Sequence, residues 1–86
     1  MKVQDNRNSK VEVGDMIVTN KNKRYLIAYE EDSKHSYLQI DVETFDIING
    51  YMSDDFKNFK IGYQLYEGES IVEIIKSENL TLNIIN

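Results

Sequence analysis

Few side chains in this sequence could carry out nucleophilic chemistry. It contains no cysteine and one histidine. The hydroxyl candidates are the serines, which are Ser9, Ser33, Ser36, Ser53, Ser70 and Ser77. They fall in predicted turns or in the N-terminal segment, without the strand-to-helix elbow that exposes a hydrolase serine. His35 lies in a predicted turn, where we interpret it as a solvated side chain, the alternative being a base or a pH-sensing contact. We therefore expect a protein that is not an enzyme.

The carboxylates and glycines do not form a metal or phosphate site. The tight acidic groups, at 30–32 and 54–55, lack the alternating oxygen ligands and central glycine of a calcium loop. Glu30 and Glu31 would also point to opposite faces of a strand. The four glycines are far apart, so no loop of successive backbone amides can cradle a phosphate. We expect neither a metal nor a cofactor.

Negative charge is concentrated in the middle of the chain. The net charge is −5, and residues 30–55 contain eight acids and a single lysine. The acids are Glu30, Glu31, Asp32, Asp41, Glu43, Asp46, Asp54 and Asp55. This charge argues against direct binding to nucleic acid or to an anionic membrane. Two interpretations stay open, namely a solvated face that keeps the protein soluble, and a surface that meets a basic partner protein.

Asp41 and Glu43 suggest how such a surface could act. At two residues apart on a predicted strand they would share a face, about 6.7 Å from each other. That spacing is close to two phosphate steps along a nucleic-acid strand. An acidic barrel could therefore occupy the nucleic-acid groove of an enzyme.

Tyrosines are the second candidate for a binding surface. Tyr29, Tyr37 and Tyr51 come from three predicted strands and are expected to share a face. Together with the acids they give our candidate partner-binding residues: Tyr29, Glu31, Tyr37, Asp41, Glu43, Asp46 and Tyr51. The alternative places the tyrosines at the boundary of a core made by Tyr25, Phe45, Phe56 and Phe59. A further alternative is a stacking surface for a nucleotide, whose phosphates would be held by lysines between subunits.

The elements that must position these residues are predicted to be β-strands. Segments rich in Val, Ile, Leu, Tyr and Thr alternate with short polar turns, which is typical of an all-β domain. We predict strands at 11–19, 24–30, 37–42, 45–51, 71–76 and 80–85, with a helical turn at 53–60. Residues 1–10 are expected to form a flexible arm and 11–86 a single domain. A capping box at 70–73 would instead open a helix, but the β-branched residues that follow favour a strand.

Two expectations concern which side chains face inward. In the strand at 37–42, the alternation predicts that Leu38, Ile40 and Val42 face inward while Tyr37, Gln39 and Asp41 face outward.

The last two predicted strands, at 71–76 and 80–85, carry more apolar side chains than one buried face of two short strands needs. We assign the excess to a homo-oligomer interface, with the candidates Ile75, Leu82, Ile84 and Ile85.

Three segments carry a family resemblance. They are Val11-Glu12-Val13-Gly14-Asp15-Met16-Ile17-Val18, Tyr25-Leu26-Ile27 and Tyr37-Leu38-Gln39-Ile40-Asp41-Val42. Together they resemble small SH3-like barrels that open with a valine-x-valine-glycine-aspartate strand, a type common among accessory proteins of bacteriophages and prophages of low-GC Gram-positive bacteria. The resemblance covers roughly residues 11–52 and implies an SH3-like barrel of five to six antiparallel strands.

The predicted function is a non-enzymatic binding protein, encoded by a phage, that inhibits or modulates a host protein. The expected target is a nucleic-acid enzyme or a component of antiviral defence. The alternatives are an oligomeric sponge for a nucleotide-type immune signal and a structural or assembly protein. The first residues lack a signal-peptide core, and no apolar run approaches the roughly 20 residues that span a bilayer. We therefore expect the protein in the cytoplasm, that of the host if the gene belongs to a phage.

Overall fold

The computed structural model describes residues 10–77, which form six strands and one short helix. The strands are β1 (Met16–Thr19), β2 (Arg24–Tyr29), β3 (Tyr37–Asp41), β4 (Ile47–Tyr51), β5 (Gln64–Tyr66) and β6 (Glu69–Ile75). The helix α1 (Ser53–Phe56) follows β4. The predicted all-β class, with a helical turn that begins at Ser53, is confirmed.

Neighbouring strands are antiparallel and lie in the order β4-β3-β2-β1-β6-β5. The sheet curls into a half-barrel, which is compatible with a small SH3-like barrel. The core on its concave side consists of Val11, Ile17, Tyr25, Ile27, Tyr51, Phe59, Ile71 and Ile74. We call the end with turns 20–23, 42–46 and 67–68 the turn end. The opposite end, with loop 30–36 and α1, is the helix end.

The predicted strand positions hold for most of the described chain. The predictions at 24–30 and 37–42 match β2 and β3, and β6 covers 71–75 of the strand predicted at 71–76. Because β6 starts at Glu69, the alternative helix at 70–73 is wrong. The sequence analysis missed β5, although Glu67 and Gly68 form a two-residue hairpin link with Gly68 at φ +82°. The predicted strand 80–85 and residues 1–9 of the predicted arm lie outside the described residues.

The start of β1 is fixed by the carboxylate of Asp15. The predicted strand at 11–19 is shorter than expected, since β1 begins only at Met16. Gly14 bends the chain with φ +98°. Asp15 Oδ2 accepts hydrogen bonds from the Glu12 N–H (2.8 Å) and from Lys76 Nζ (2.6 Å), while Oδ1 accepts one from the Ser77 N–H (2.9 Å). One buried carboxylate therefore joins the entry to β1 with the exit from β6.

Strand β3 faces the opposite way from the prediction. Gln39 and Asp41 are buried on the concave side, whereas Leu38 and Ile40 lie on the convex side and are only partly buried, as is Val42 beyond the strand. The register pairs Ile27 of β2 with Gln39, and directly paired residues share a face. Because Ile27 faces the core, Gln39 must do so too.

The predicted position of Phe45 is also wrong. It was expected in the core and in a strand at 45–51, but its side chain is 79% exposed and β4 begins at Ile47. Its φ is +64°, and its N–H donates to the Asp41 carbonyl (2.7 Å). Phe45 therefore closes a tight loop after β3, which turns its ring toward solvent.

We predict that Asp15→Asn lowers the free energy of unfolding by about 3 kcal/mol or more, because it leaves Lys76 without its buried partner. The Asp15 side chain is 1% exposed. The matched control is Glu12→Gln, whose side chain is 75% exposed although it also lies 3.4 Å from Lys76 Nζ. It should change stability by less than about 1 kcal/mol. Urea denaturation of both variants checks the prediction, and equal small losses would contradict it.

Candidate binding surface

Three aromatic rings pack together at the helix end. Tyr29 pairs with Tyr37, and Tyr37 with Tyr51, so these three tyrosines share a face of the sheet as their strand positions predict. The Tyr29 and Tyr37 rings meet edge to face at 5.2 Å, and Tyr37 stacks on Phe56 at 4.2 Å with an angle of 4°. Tyr29 is 52% exposed, while Tyr37 and Phe56 are partly buried. We call Tyr29, Tyr37 and Phe56 the aromatic rim.

The aromatic rim is anchored in the core. Phe56 contacts the buried Phe59 at a ring distance of 5.1 Å, and Phe59 in turn contacts Tyr51 at 4.9 Å and Tyr63 at 4.7 Å. The exposed rings are thus the outer part of one continuous aromatic cluster. Such packing fixes the positions of the rim side chains, and a surface that is already ordered binds at a lower entropic cost.

Acidic side chains lie on the two elements that adjoin the aromatic rim at the helix end. They are Glu30, Glu31 and Asp32 of the β2–β3 loop and Asp54 and Asp55 of α1, all exposed. The bases in the same loop and next to the helix are Lys34 and Lys57. Lys57 Nζ lies 3.8 Å from Asp54 Oδ1, an exposed pair that contributes little to stability. Aromatic faces with excess negative charge around them suit a cation, above all the flat guanidinium of arginine.

Three predicted partner residues lie elsewhere. Asp41 is 7% exposed, and its Oδ1 accepts the Glu43 N–H at 2.7 Å while Oδ2 lies 3.8 Å from Lys23 Nζ. Because β3 ends at Asp41, the two-residue strand spacing expected for Asp41 and Glu43 is wrong. Asp41 shapes the turn. Glu43 and Asp46 are exposed at the turn end, separated from the aromatic rim by the length of β3.

Behind the aromatic rim, a buried amide joins two tyrosines. Gln39 is fully buried, and its Oε1 accepts hydrogen bonds from the hydroxyls of Tyr51 (2.7 Å) and Tyr66 (3.3 Å). Tyr51, a predicted partner residue, therefore points inward. Since Tyr66 belongs to β5 and Gln39 to β3, this contact spans the concave side of the half-barrel. Gln39 Nε2 has no hydrogen-bond partner among residues 10–77.

A buried carboxylate organises the turn end of the concave side. Glu69 Oε2 accepts hydrogen bonds from the hydroxyls of Thr19 (2.7 Å) and Tyr25 (3.2 Å). Thr19 Oγ1 also accepts the N–H groups of Lys21 and Lys23, which fixes the β1–β2 turn. Burial, reinforced by the Glu69 carboxylate, raises the pKa of Tyr25 from 10.0 to about 12. Burial also raises the pKa of Tyr51.

Within the described residues 10–77, the basic side chains that could hold a phosphate are divided between the two ends of the half-barrel. Lys21, Lys23 and Arg24 lie at the turn end, whereas Lys57 follows α1 at the helix end and Lys60 lies between α1 and β5. A nucleotide stacked on the rim would therefore meet acids rather than a convergent set of lysines. This placement gives the nucleotide alternative no support.

Sequence reasoning missed the contact of Phe56 with Tyr37 and the inward position of Gln39. Phe56 was assigned to the core, and it does pack against the core, but it is partly buried and also stacks on Tyr37. A sequence signal for the partial exposure of Phe56 was its position directly after Asp54 and Asp55 in the predicted helical turn. For Gln39 the signal was the paired strand, since Tyr25 and Ile27 define which face of β2 is buried.

Among residues 10–77, no group of three or more His, Cys, Asp or Glu side chains is placed to hold a metal ion. Within the same residues, no helix has the length and apolar character that crossing a membrane requires. Comparison with protein-family models, curated proteins and solved structures gives no match. The aromatic rim and the charges on the elements beside it are therefore the features from which a function can be inferred.

We predict that stability falls as the pH rises from 10 to 12, because the folded state holds the Tyr25 proton above the ordinary pKa of 10.0. The contribution is complete below pH 10, where Tyr25 is protonated in both states. Tyr25→Phe should make the decline less steep. Urea denaturation at several pH values gives the free energy of unfolding, and the tyrosinate absorbance measured at the same pH values reports tyrosine ionisation. An equal decline in wild type and variant would contradict the assignment.

We predict that Gln39 and Tyr51 are energetically coupled. Gln39→Met leaves the buried Tyr51 hydroxyl without its acceptor and should cost about 2 kcal/mol, while Tyr51→Phe should cost about 1 kcal/mol. The double variant removes both partners and should cost less than the sum, by about 1 kcal/mol. A double-mutant cycle in urea checks the coupling, and strict additivity would contradict the hydrogen bond.

Proposed function

We propose that the protein is a non-enzymatic binding protein that captures a basic surface of a host protein through the aromatic rim and the acids around it. The observation that carries the proposal is the packed Tyr29–Tyr37–Phe56 cluster with its exposed Tyr29 ring, together with five exposed acids on the adjoining β2–β3 loop and α1. Tyrosine and arginine are the residues most often found at the energetic centre of protein interfaces. An arginine of the partner, stacked on Tyr29, would fit both the ring and the charge.

The resemblance to accessory proteins of phages and prophages supports a more specific role. A phage protein that binds a basic host surface can inhibit or redirect a nucleic-acid enzyme or a defence component, since proteins that bind nucleic acid present clustered Lys and Arg. Acidic loops can compete for such a surface. Long-range attraction between opposite charges would also speed the encounter.

The decisive experiment compares two charge reversals of equal size. Glu30→Lys with Glu31→Lys changes the helix end, and Glu43→Lys with Asp46→Lys is the matched control at the turn end. Each tagged variant is incubated with lysate of a Gram-positive host, and captured proteins are quantified at low and high salt. We expect the first pair to reduce capture of basic proteins roughly tenfold and the control to reduce it far less.

A third variant separates the aromatic contribution from the charge. Tyr29→Ala removes the exposed ring without changing any charge, and it should also weaken capture. Wild-type capture should fall at high salt because added ions screen exposed charges. Capture that resists salt, or that depends on Glu43 and Asp46 rather than on Glu30 and Glu31, would contradict the proposed surface.

A further inference from the structure

The convex face of the half-barrel carries an unbroken apolar row. The strand pairing aligns one apolar residue from each of five neighbouring strands. In order across the sheet these are Ile75, Met16, Leu26, Ile40 and Ile47. The first four are only partly buried, and Ile47 is 60% exposed. At the usual strand spacing this convex row is about 19 Å long.

The composition of the convex row is unusual for a face turned to solvent. An antiparallel sheet with one wet face normally carries polar side chains there. Here β3 does the reverse, since Gln39 and Asp41 lie inside while Leu38 and Ile40 lie outside. Val18 and Ala28 add further apolar surface on the convex side. A contiguous apolar face of this kind marks an interaction surface.

The charges beside the convex row indicate which partner fits it. Val18 pairs with Arg24 on one side and with Glu73 on the other, so a base and an acid flank it on the convex face, and both are exposed. The row itself carries no charge and would not select the basic partner proposed for the aromatic rim. A second copy turned by a two-fold axis that runs along β1 can pack Ile75 against Leu26 of the other copy and Met16 against Met16. The same axis places each Arg24 opposite the other copy's Glu73.

We propose that two copies of this chain pack through their convex rows to form a symmetric dimer. Ile75, which the sequence analysis assigned to a homo-oligomer interface, lies at one end of the row, while Leu82, Ile84 and Ile85 lie outside the described residues. The dimer leaves both aromatic rims, on the concave side and helix end, free for partners. This inference is independent of the proposed function, because it uses a different face.

Analytical ultracentrifugation of the full chain over a wide concentration range tests the dimer. Leu26→Lys places a charge in the middle of the row, opposite Ile75 of the other copy, and should raise the dimer dissociation constant roughly tenfold or more. The matched control is Val13→Lys, at a residue that is 45% exposed and lies outside the strands. It should leave self-association unchanged. Urea denaturation at low concentration shows that each variant folds.

Exchanging the charges of Arg24 and Glu73 tests the dimer without changing any apolar residue of the convex row. Arg24→Glu and Glu73→Arg should each weaken self-association, and the double variant should restore it. A chain that stays monomeric up to about 1 mM would overturn the proposal. Self-association that is insensitive to Leu26→Lys, or that the double exchange does not restore, would overturn it as well.

Discussion

The pairing register of β2 and β3 is the constraint on which the rest of the structure depends. It places Tyr25 opposite Asp41, Ile27 opposite Gln39 and Tyr29 opposite Tyr37. A shift by one residue would move every side chain of β3 to the other face. The buried Gln39, the Tyr29–Tyr37 contact and the outward position of Ile40 are therefore consequences of a single alignment.

The sequence predicts the positions of the strands better than it predicts which face of each strand is buried. Strand positions follow from β-branched and aromatic residues between polar turns. Strand β3 misleads because apolar residues are expected inside, whereas tyrosine hydroxyls and Lys23 provide hydrogen-bonding and ionic partners for Gln39 and Asp41 on the concave side. Those partners come from other strands and from the β1–β2 turn, so the local pattern of β3 does not reveal them.

The same limit applies to the candidate site. The tyrosine positions could be predicted, since directly paired residues share a face, but the stacking of Phe56 depends on how α1 returns to the sheet. The acidic segment is continuous in the sequence, yet β3 runs between its two halves and places Glu43 and Asp46 at the turn end and Glu30 and Glu31 at the helix end.

The structure offers two candidate surfaces, the aromatic rim and the convex row, and a different physical interaction dominates at each. As proposed, the aromatic rim would bind through charge and respond to salt, whereas the convex row would bind through apolar burial. A dimer with two free aromatic rims would bind clustered targets with avidity.

The β2–β3 register is tested most directly by nuclear Overhauser spectroscopy of the Gln39 side-chain amide in the full chain. We predict contacts from this amide to the rings of Tyr51 and Tyr66, together with Hα contacts between Tyr29 and Tyr37, which the register pairs directly. Contacts from the Leu38 and Ile40 methyl groups to Phe59 and Ile27 would show the opposite orientation of β3. That result would contradict the register and, with it, both proposed surfaces.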